Sequence, residues 1–129
     1  MRKSAKILAI VLEEVEKHIR PGITTEELNK IAEDVIASHN ALPAFKGYGG
    51  FPASICTSIN EEVVHGIPGL RTLKDGDIIS IDGGVLLNGY NSDAARTYPV
   101  GNVSAEALRL IKVTEGSFFE GIAFAKHGY

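Results

Sequence analysis

Two cysteines are the least a disulfide needs, and this chain of 129 residues has one, Cys56, so an internal disulfide framework is excluded and a reducing compartment, the cytoplasm, is expected. There is also no surplus of positive charge. Lysine and arginine number 13 against 16 aspartates and glutamates, and the net charge of -3 is spread along the chain, leaving no basic stripe for phosphates or anionic lipid. Neither nucleic acid nor a membrane is therefore an expected partner. Long apolar runs are missing as well. Ile7 to Leu12 follows the basic start Met1-Arg2-Lys3, but it is too short for a secretion signal, and Glu13-Glu14 stand where a small-residue cleavage site would be.

The chain does hold periodic apolar positions, enough for one core. Ile7, Leu8, Val11, Leu12, Val15 and Ile19 recur at helical spacing, which predicts a helix from about Lys3 to Ile19 ended by Pro21-Gly22. Thr24 with Glu27 three residues on forms a capping box, and Ile23 and Leu28 suit the flanking hydrophobic staple. A second helix, reaching about Ser38, presents Leu28, Ile31, Ala32, Val35 and Ile36 on one face. Two amphipathic helices need an apolar surface to cover, and a sheet formed later in the chain is expected to supply it.

From Phe45 to Pro68 the helical period disappears. A glycine-rich aromatic loop, Phe45-Lys46-Gly47-Tyr48-Gly49-Gly50-Phe51-Pro52, leads into a strand at Ile55-Cys56-Thr57-Ser58-Ile59. Asn60-Glu61-Glu62 is expected to turn, Val63-Val64-His65 to form a short strand, and Gly66-Ile67-Pro68-Gly69 a loop, so that His65 sits where strand meets loop. Beyond the Asp75-Gly76-Asp77 turn, Ile78 to Asp82 and Tyr90 to Pro99 are strands joined through Asn88-Gly89, a strong hairpin signal. Ser104 caps a third helix that uses Leu108, Ile111, Phe118 and Ile122 and runs to the end of the chain at Tyr129.

The hairpin is where chemistry is expected. A two-residue turn at Asn88-Gly89 pairs Leu87 with Tyr90, Gly84 with Asp93 and Asp82 with Ala95. Asp82 and Asp93 then share a face as diagonal neighbours, unless a bulge intervenes. Two unpaired carboxylates side by side are disfavoured, and a divalent cation between them is one resolution. Solvation, or pairing with a neighbour such as Arg96, is the other. Taken singly, His65 is an ordinary strand-end histidine, Cys56 a small buried apolar group, and Tyr48 with Phe51 a cluster at the edge of the core.

Read together, these residues mean more. Ser58-Ile59-Asn60-Glu61-Glu62-Val63-Val64-His65-Gly66-Ile67-Pro68 resembles a signature stretch of type I methionine aminopeptidases. Lys74-Asp75-Gly76-Asp77-Ile78, Ile81-Asp82, Gly89-Tyr90-Asn91-Ser92-Asp93 and Thr97-Tyr98-Pro99-Val100-Gly101 follow in that family's order. The resemblance implies an α/β fold, the N-terminal half of a pita-bread architecture, with an antiparallel sheet and its hairpin covered by amphipathic helices. Residues 1–103 would form that half, and 104–129 the first helix of an incomplete second half. It implies removal of N-terminal methionine from nascent polypeptides by a centre of two divalent metal ions such as Co, Mn, Fe or Zn. Asp82 and Asp93 would be metal ligands, with Asp93 bridging both ions. His65 would contact the scissile peptide, and Tyr48, Phe51 and Cys56 would line the pocket for the methionine side chain.

The departures qualify these expectations. The family completes its metal shell with a histidine and two glutamates from the second half, and none of that half's motifs is present. His127-Gly128 stands at the expected helix end and comes too early to be the ligand histidine. The expectation is a truncated chain, inactive as given, that associates with a C-terminal half or with a copy of itself. Asn91-Ser92-Asp93 leans toward the wording of prolidases, which makes an Xaa-Pro peptidase relative the enzymatic alternative.

Overall fold

The computed structural model describes residues 1–128. The chain forms α1 (Arg2–His18), α2 (Thr25–Ser38), β1 (Leu42–Pro43), β2 (Ile55–Ile59), β3 (Ile78–Leu87), β4 (Tyr90–Pro99) and α3 (Ala105–Ile122). The expected helix pattern of the first forty residues holds. Ile7, Leu8, Val11, Leu12 and Val15 are buried along α1, which gives way at Ile19 to extended backbone ahead of Pro21 and Gly22. Thr24 caps α2 by accepting from the Glu27 N–H, while the Glu27 carboxylate accepts from the Thr24 N–H.

One antiparallel sheet forms in the order β1, β3, β2, with β4 on β3. Asn88 and Gly89 both take positive φ, the backbone of a tight hairpin turn, and the register runs without interruption from Leu87 opposite Tyr90 to Ile78 opposite Pro99. β1, two residues long, was not legible in the sequence. It pairs Leu42 and Pro43 with Leu86 and Val85.

Both α1 and α2 lie on one side of this sheet, α1 over β3 and β4 and α2 toward β1 and β2. Side chains alternate across a strand, so Ile79, Ile81 and Val85 of β3 point into the layer under the helices, together with Ile55 and Ile59 of β2, Leu28, Ala32 and Ile36 of α2, and Val11 and Val15 of α1. Each Val, Leu and Ile of this layer contributes about 1.5–3 kcal/mol by leaving water. Gly83 sits in this layer because Leu8 and Ile55 already occupy the space a side chain would need. Neither α1 nor α2 covers the sheet's other face, and β3 presents Ser80, Asp82 and Gly84 there.

One expectation is corrected. Ser104 caps α3 as expected, accepting from the Ala107 N–H, but the helix ends at Ile122 and its last turn tightens through Phe124 and Ala125. His127 therefore lies beyond it, and Tyr129 is outside the described residues. The apolar stripe of α3 is uncovered: Leu108, Phe118 and Ile122 are each at least half exposed, Ile111 is only partly covered, and Phe118 and Phe119 stack edge to face in the open. Among the described residues no helix is long and apolar enough to cross a membrane.

Candidate functional site

The register sets what stands on the face of the sheet turned away from α1 and α2. Cys56 of β2, Asp82 of β3 and Ala95 of β4 lie in one row across it, and Gly84 and Asp93 face each other in the next. No bulge interrupts the pairing, so Asp82 and Asp93 share a face as diagonal neighbours. Arg96 does not. It stands opposite Ile81, whose side chain is in the core, and so belongs to the other face of β4, which removes it as the neutralising partner.

The two carboxylates differ in setting. Asp93 is exposed and Asp82 half-buried, with one carboxylate oxygen enclosed and without a hydrogen-bond partner among the described residues. Burial, followed by the charge of Asp93, pushes the Asp82 carboxyl above its ordinary value, and His65 opposes this more weakly. An enclosed acceptor oxygen beside a second carboxylate is a donor set that suits a divalent cation. It is also an incomplete one, because among the described residues no group of three or more histidines, cysteines, aspartates or glutamates could hold a metal ion.

A cavity of about 370 Å³ opens over this face, lined by Phe45, Tyr48, Phe51, Cys56, His65, Asp82 and Asp93. Its size is at the lower end of small-ligand pockets, which span about 300–1,000 Å³. The six residues singled out from the sequence thus border one space. Phe45 is the seventh, and sequence reasoning passed over it although it begins the same aromatic loop. The explanation lies in β3: a Cβ on Gly84 would stand 2.7 Å from the Phe45 ring and 2.9 Å from the Ala44 Cβ, so the missing side chain at 84 is what lets this loop close on the sheet. Cys56 is buried, and desolvation, with Asp82 and Asp93 adding to it, pushes its thiol up to about 11. Without a metal it stays a neutral thiol at physiological pH.

His65 reaches the cavity by a different route from the one expected. Val63, Val64 and His65 form no strand; they are an exposed loop, and His65 holds a left-handed backbone with φ 60°. The β-branched pair looks strand-like, but the outer edge of β2 is occupied instead by Gly66, whose carbonyl accepts from the Thr57 N–H. A positive φ is uncommon outside glycine and disfavoured by about 1 kcal/mol, and such residues gather where the surroundings force an orientation.

Comparison with known proteins follows the same lines. The model of a family described as Metallopeptidase family M24 matches residues 1–129. A methionine aminopeptidase 1 from Bacillus subtilis is 58% identical over 128 residues, 99% of this chain and 52% of that protein. The crystal structure of methionine aminopeptidase from Rickettsia prowazekii superposes with a TM-score of 0.92 at 46% identity, over 94% of this chain and 49% of that one. Prolidase from Pyrococcus furiosus is more distant, at 25% identity and a TM-score of 0.70 over 81% of this chain and 29% of its own. The fold is half of a pita-bread architecture, as expected, and the chain spans about half the length of the methionine aminopeptidases it matches.

Proposed function

Taking as premise that this chain belongs to metallopeptidase family M24, we propose that the sheet face turned away from α1 and α2 is part of the active site of a methionine aminopeptidase, which removes N-terminal methionine from polypeptide chains by metal-dependent hydrolysis. The observation that carries the reading is the convergence of an unneutralised carboxylate pair and an apolar, thiol-bearing pocket on one cavity. The alternative of an Xaa-Pro peptidase has the weaker likeness behind it.

Asp82 and Asp93 would hold the metal, two divalent ions when the ligand shell is complete, drawn from Mn, Co, Fe or Zn, all of which accept carboxylate oxygen. When bound, such ions supply Lewis-acid polarisation of a peptide carbonyl and acidify coordinated water. The remaining residues bind and orient. Phe45, Tyr48, Phe51 and Cys56 offer aromatic edges and a neutral sulfur, surfaces against which a flexible thioether packs well. His65, which lines the cavity, would donate a hydrogen bond to the peptide bond being cleaved and steady the charge that develops on it. One buried reduced cysteine suits a cytoplasmic enzyme.

We divide the chain at Ser104: residues 1–103 form the unit that carries the site, and 104–129 begin a second. The uncovered apolar side of α3 supports this division, and it is the surface on which a C-terminal half or another copy would pack. Two carboxylates alone hold a divalent ion loosely, so the 129-residue chain is expected to bind metal weakly and to turn over a methionyl peptide far more slowly than a protein with the full shell.

Manganese titration followed by NMR tests the reading. Paramagnetic broadening is expected first at the amides of Asp82, Gly84 and Asp93, and Asp93→Asn should weaken binding at least tenfold without altering the fold. A methionyl peptide should shift the signals of Phe45, Tyr48, Phe51 and Cys56. Broadening centred elsewhere, or peptide shifts confined to α3, would sink the assignment.

A further inference from the structure

We propose that Ser58, acting through Gly66, is a positioning residue that holds His65 over the cavity. The proposal rests on the reading of His65 as the group that meets the substrate. Nothing in the His65 loop itself explains where the ring stands: Val63, Val64, His65 and Ile67 are all exposed and make no contribution to the core. The loop is fastened on either side of them instead. Upstream, the Glu62 carboxylate accepts from the Ile59 N–H and pairs with Arg71. Downstream, Gly69 exchanges hydrogen bonds with the Thr25 hydroxyl at the start of α2.

Between those anchors one residue ties the loop to the sheet, and it is the residue after His65. The Gly66 carbonyl accepts from the Thr57 N–H at 2.8 Å, and the Gly66 N–H donates to the Ser58 Oγ at 3.1 Å. The peptide group between His65 and Gly66 therefore ends in a donor gripped by Ser58, while the next carbonyl is gripped by β2. Ser58 is itself almost fully buried, on the same sheet face as Cys56 and Asp82, so its hydroxyl is a fixed acceptor rather than a mobile surface group. The approach admits no side chain at 66, since a Cβ there would lie 2.1 Å from the Thr57 carbonyl oxygen. With the peptide clamped on one side and the chain required to rise away from β2 on the other, His65 is left in its left-handed conformation. A histidine that must meet a reacting peptide gains from being held in advance, because misplacement by about 1 Å can lower a rate about a hundredfold.

The test is NMR on the 129-residue chain and three variants, reading Gly66 amide exchange, the His65 ring signals and the amides of the core strands. Ser58→Ala removes the acceptor without adding bulk. It should speed Gly66 exchange about tenfold, the effect of one hydrogen bond, and move the His65 ring signals while Ile79 and Ile81 amides stay protected. Gly66→Ala should do the same by breaking the grip from the other partner, which keeps the test open if the serine variant folds poorly. Ser54→Ala, a control at an equally buried serine whose hydroxyl has no partner among the described residues, should move neither. Unchanged Gly66 exchange or His65 signals in Ser58→Ala would overturn the latch, and so would a uniform rise in exchange that includes the core, which marks a merely structural role. These readouts report where His65 is held whether or not it contributes to turnover, so the latch can fail while the active-site reading stands, and the reverse.

Discussion

Strand β3 has two faces with opposite duties. Under the helices it presents Ile79, Ile81 and Val85, none with measurable exposure, and across the sheet it carries Ser80, Asp82 and Gly84, of which Asp82 borders the cavity. Every side chain on the first face gains free energy by being where it is. On the second, Asp82 has an enclosed oxygen without a partner among the described residues, and Gly84 gives up its side chain to let Phe45 in. A strand that satisfies itself on one side can hold an unsatisfied arrangement on the other, because the backbone between them is fixed by pairing to β2 and β4.

The contrast should appear first and largest as stability. Ile81→Ala, on the helix side, is expected to destabilise the chain by about 3–4 kcal/mol in urea denaturation, the range for a fully buried Ile. Changes of that size on the far face would mean that both faces serve the core. Gly84→Ala comes next, at about 2 kcal/mol, because the added methyl overlaps the Phe45 ring and the Ala44 methyl. Unlike Ile81→Ala, it should also weaken the shifts a methionyl peptide induces at Phe45, since the ring must swing out of the cavity wall. Unchanged peptide shifts would show that Phe45 only borders the cavity.

His65 gives a smaller and more pointed test. His65→Gly should be more stable than His65→Ala by about 1 kcal/mol, since glycine takes a left-handed backbone freely and alanine does not. Equal stabilities would indicate that the loop relaxes away from φ 60° once the ring is gone, and that the ring rather than the latch imposes the geometry.

How far the sequence shows this division depends on which interactions are local. The hairpin was readable because Asn88-Gly89 sets a turn whose register then puts Asp82 and Asp93 on one face with no further information. α1 and α2 were readable because their apolar spacing and the Thr24 to Glu27 box are properties of short segments. Val63-Val64 misled because β-branched residues mark a strand only if a partner strand is free, and the edge of β2 was already engaged by Gly66. β1 and Phe45 were missed because each depends on a contact with β3 some forty positions on. The apolar stripe of α3 was readable as a pattern, but spacing specifies only a face, and nothing among the described residues covers it.

The smallest expected effect is the one most diagnostic of a site kept at the expense of stability. Asp82 binds its proton more tightly in the folded chain than in the unfolded one, mainly because burial, and then the Asp93 charge, disfavour its ionised form. Without metal, folding is therefore favoured while the proton is on. Stability should fall as the pH rises from the ordinary aspartate value through the raised folded one, and then stay flat. Asp82→Asn removes that slope and leaves the neutral side, so at pH 7 the metal-free variant should be the more stable by about 0.5 kcal/mol, a modest figure because the group is only half-buried and solvent screens it. Adding manganese should reverse the order, since only the parent chain retains both carboxylates and gains from ion binding to the folded state. Thermal unfolding of both proteins at several pH values, with and without manganese, decides it. If Asp82→Asn is the less stable already without metal, the carboxylate is satisfied by something other than an ion, and the two faces of β3 are not divided as argued.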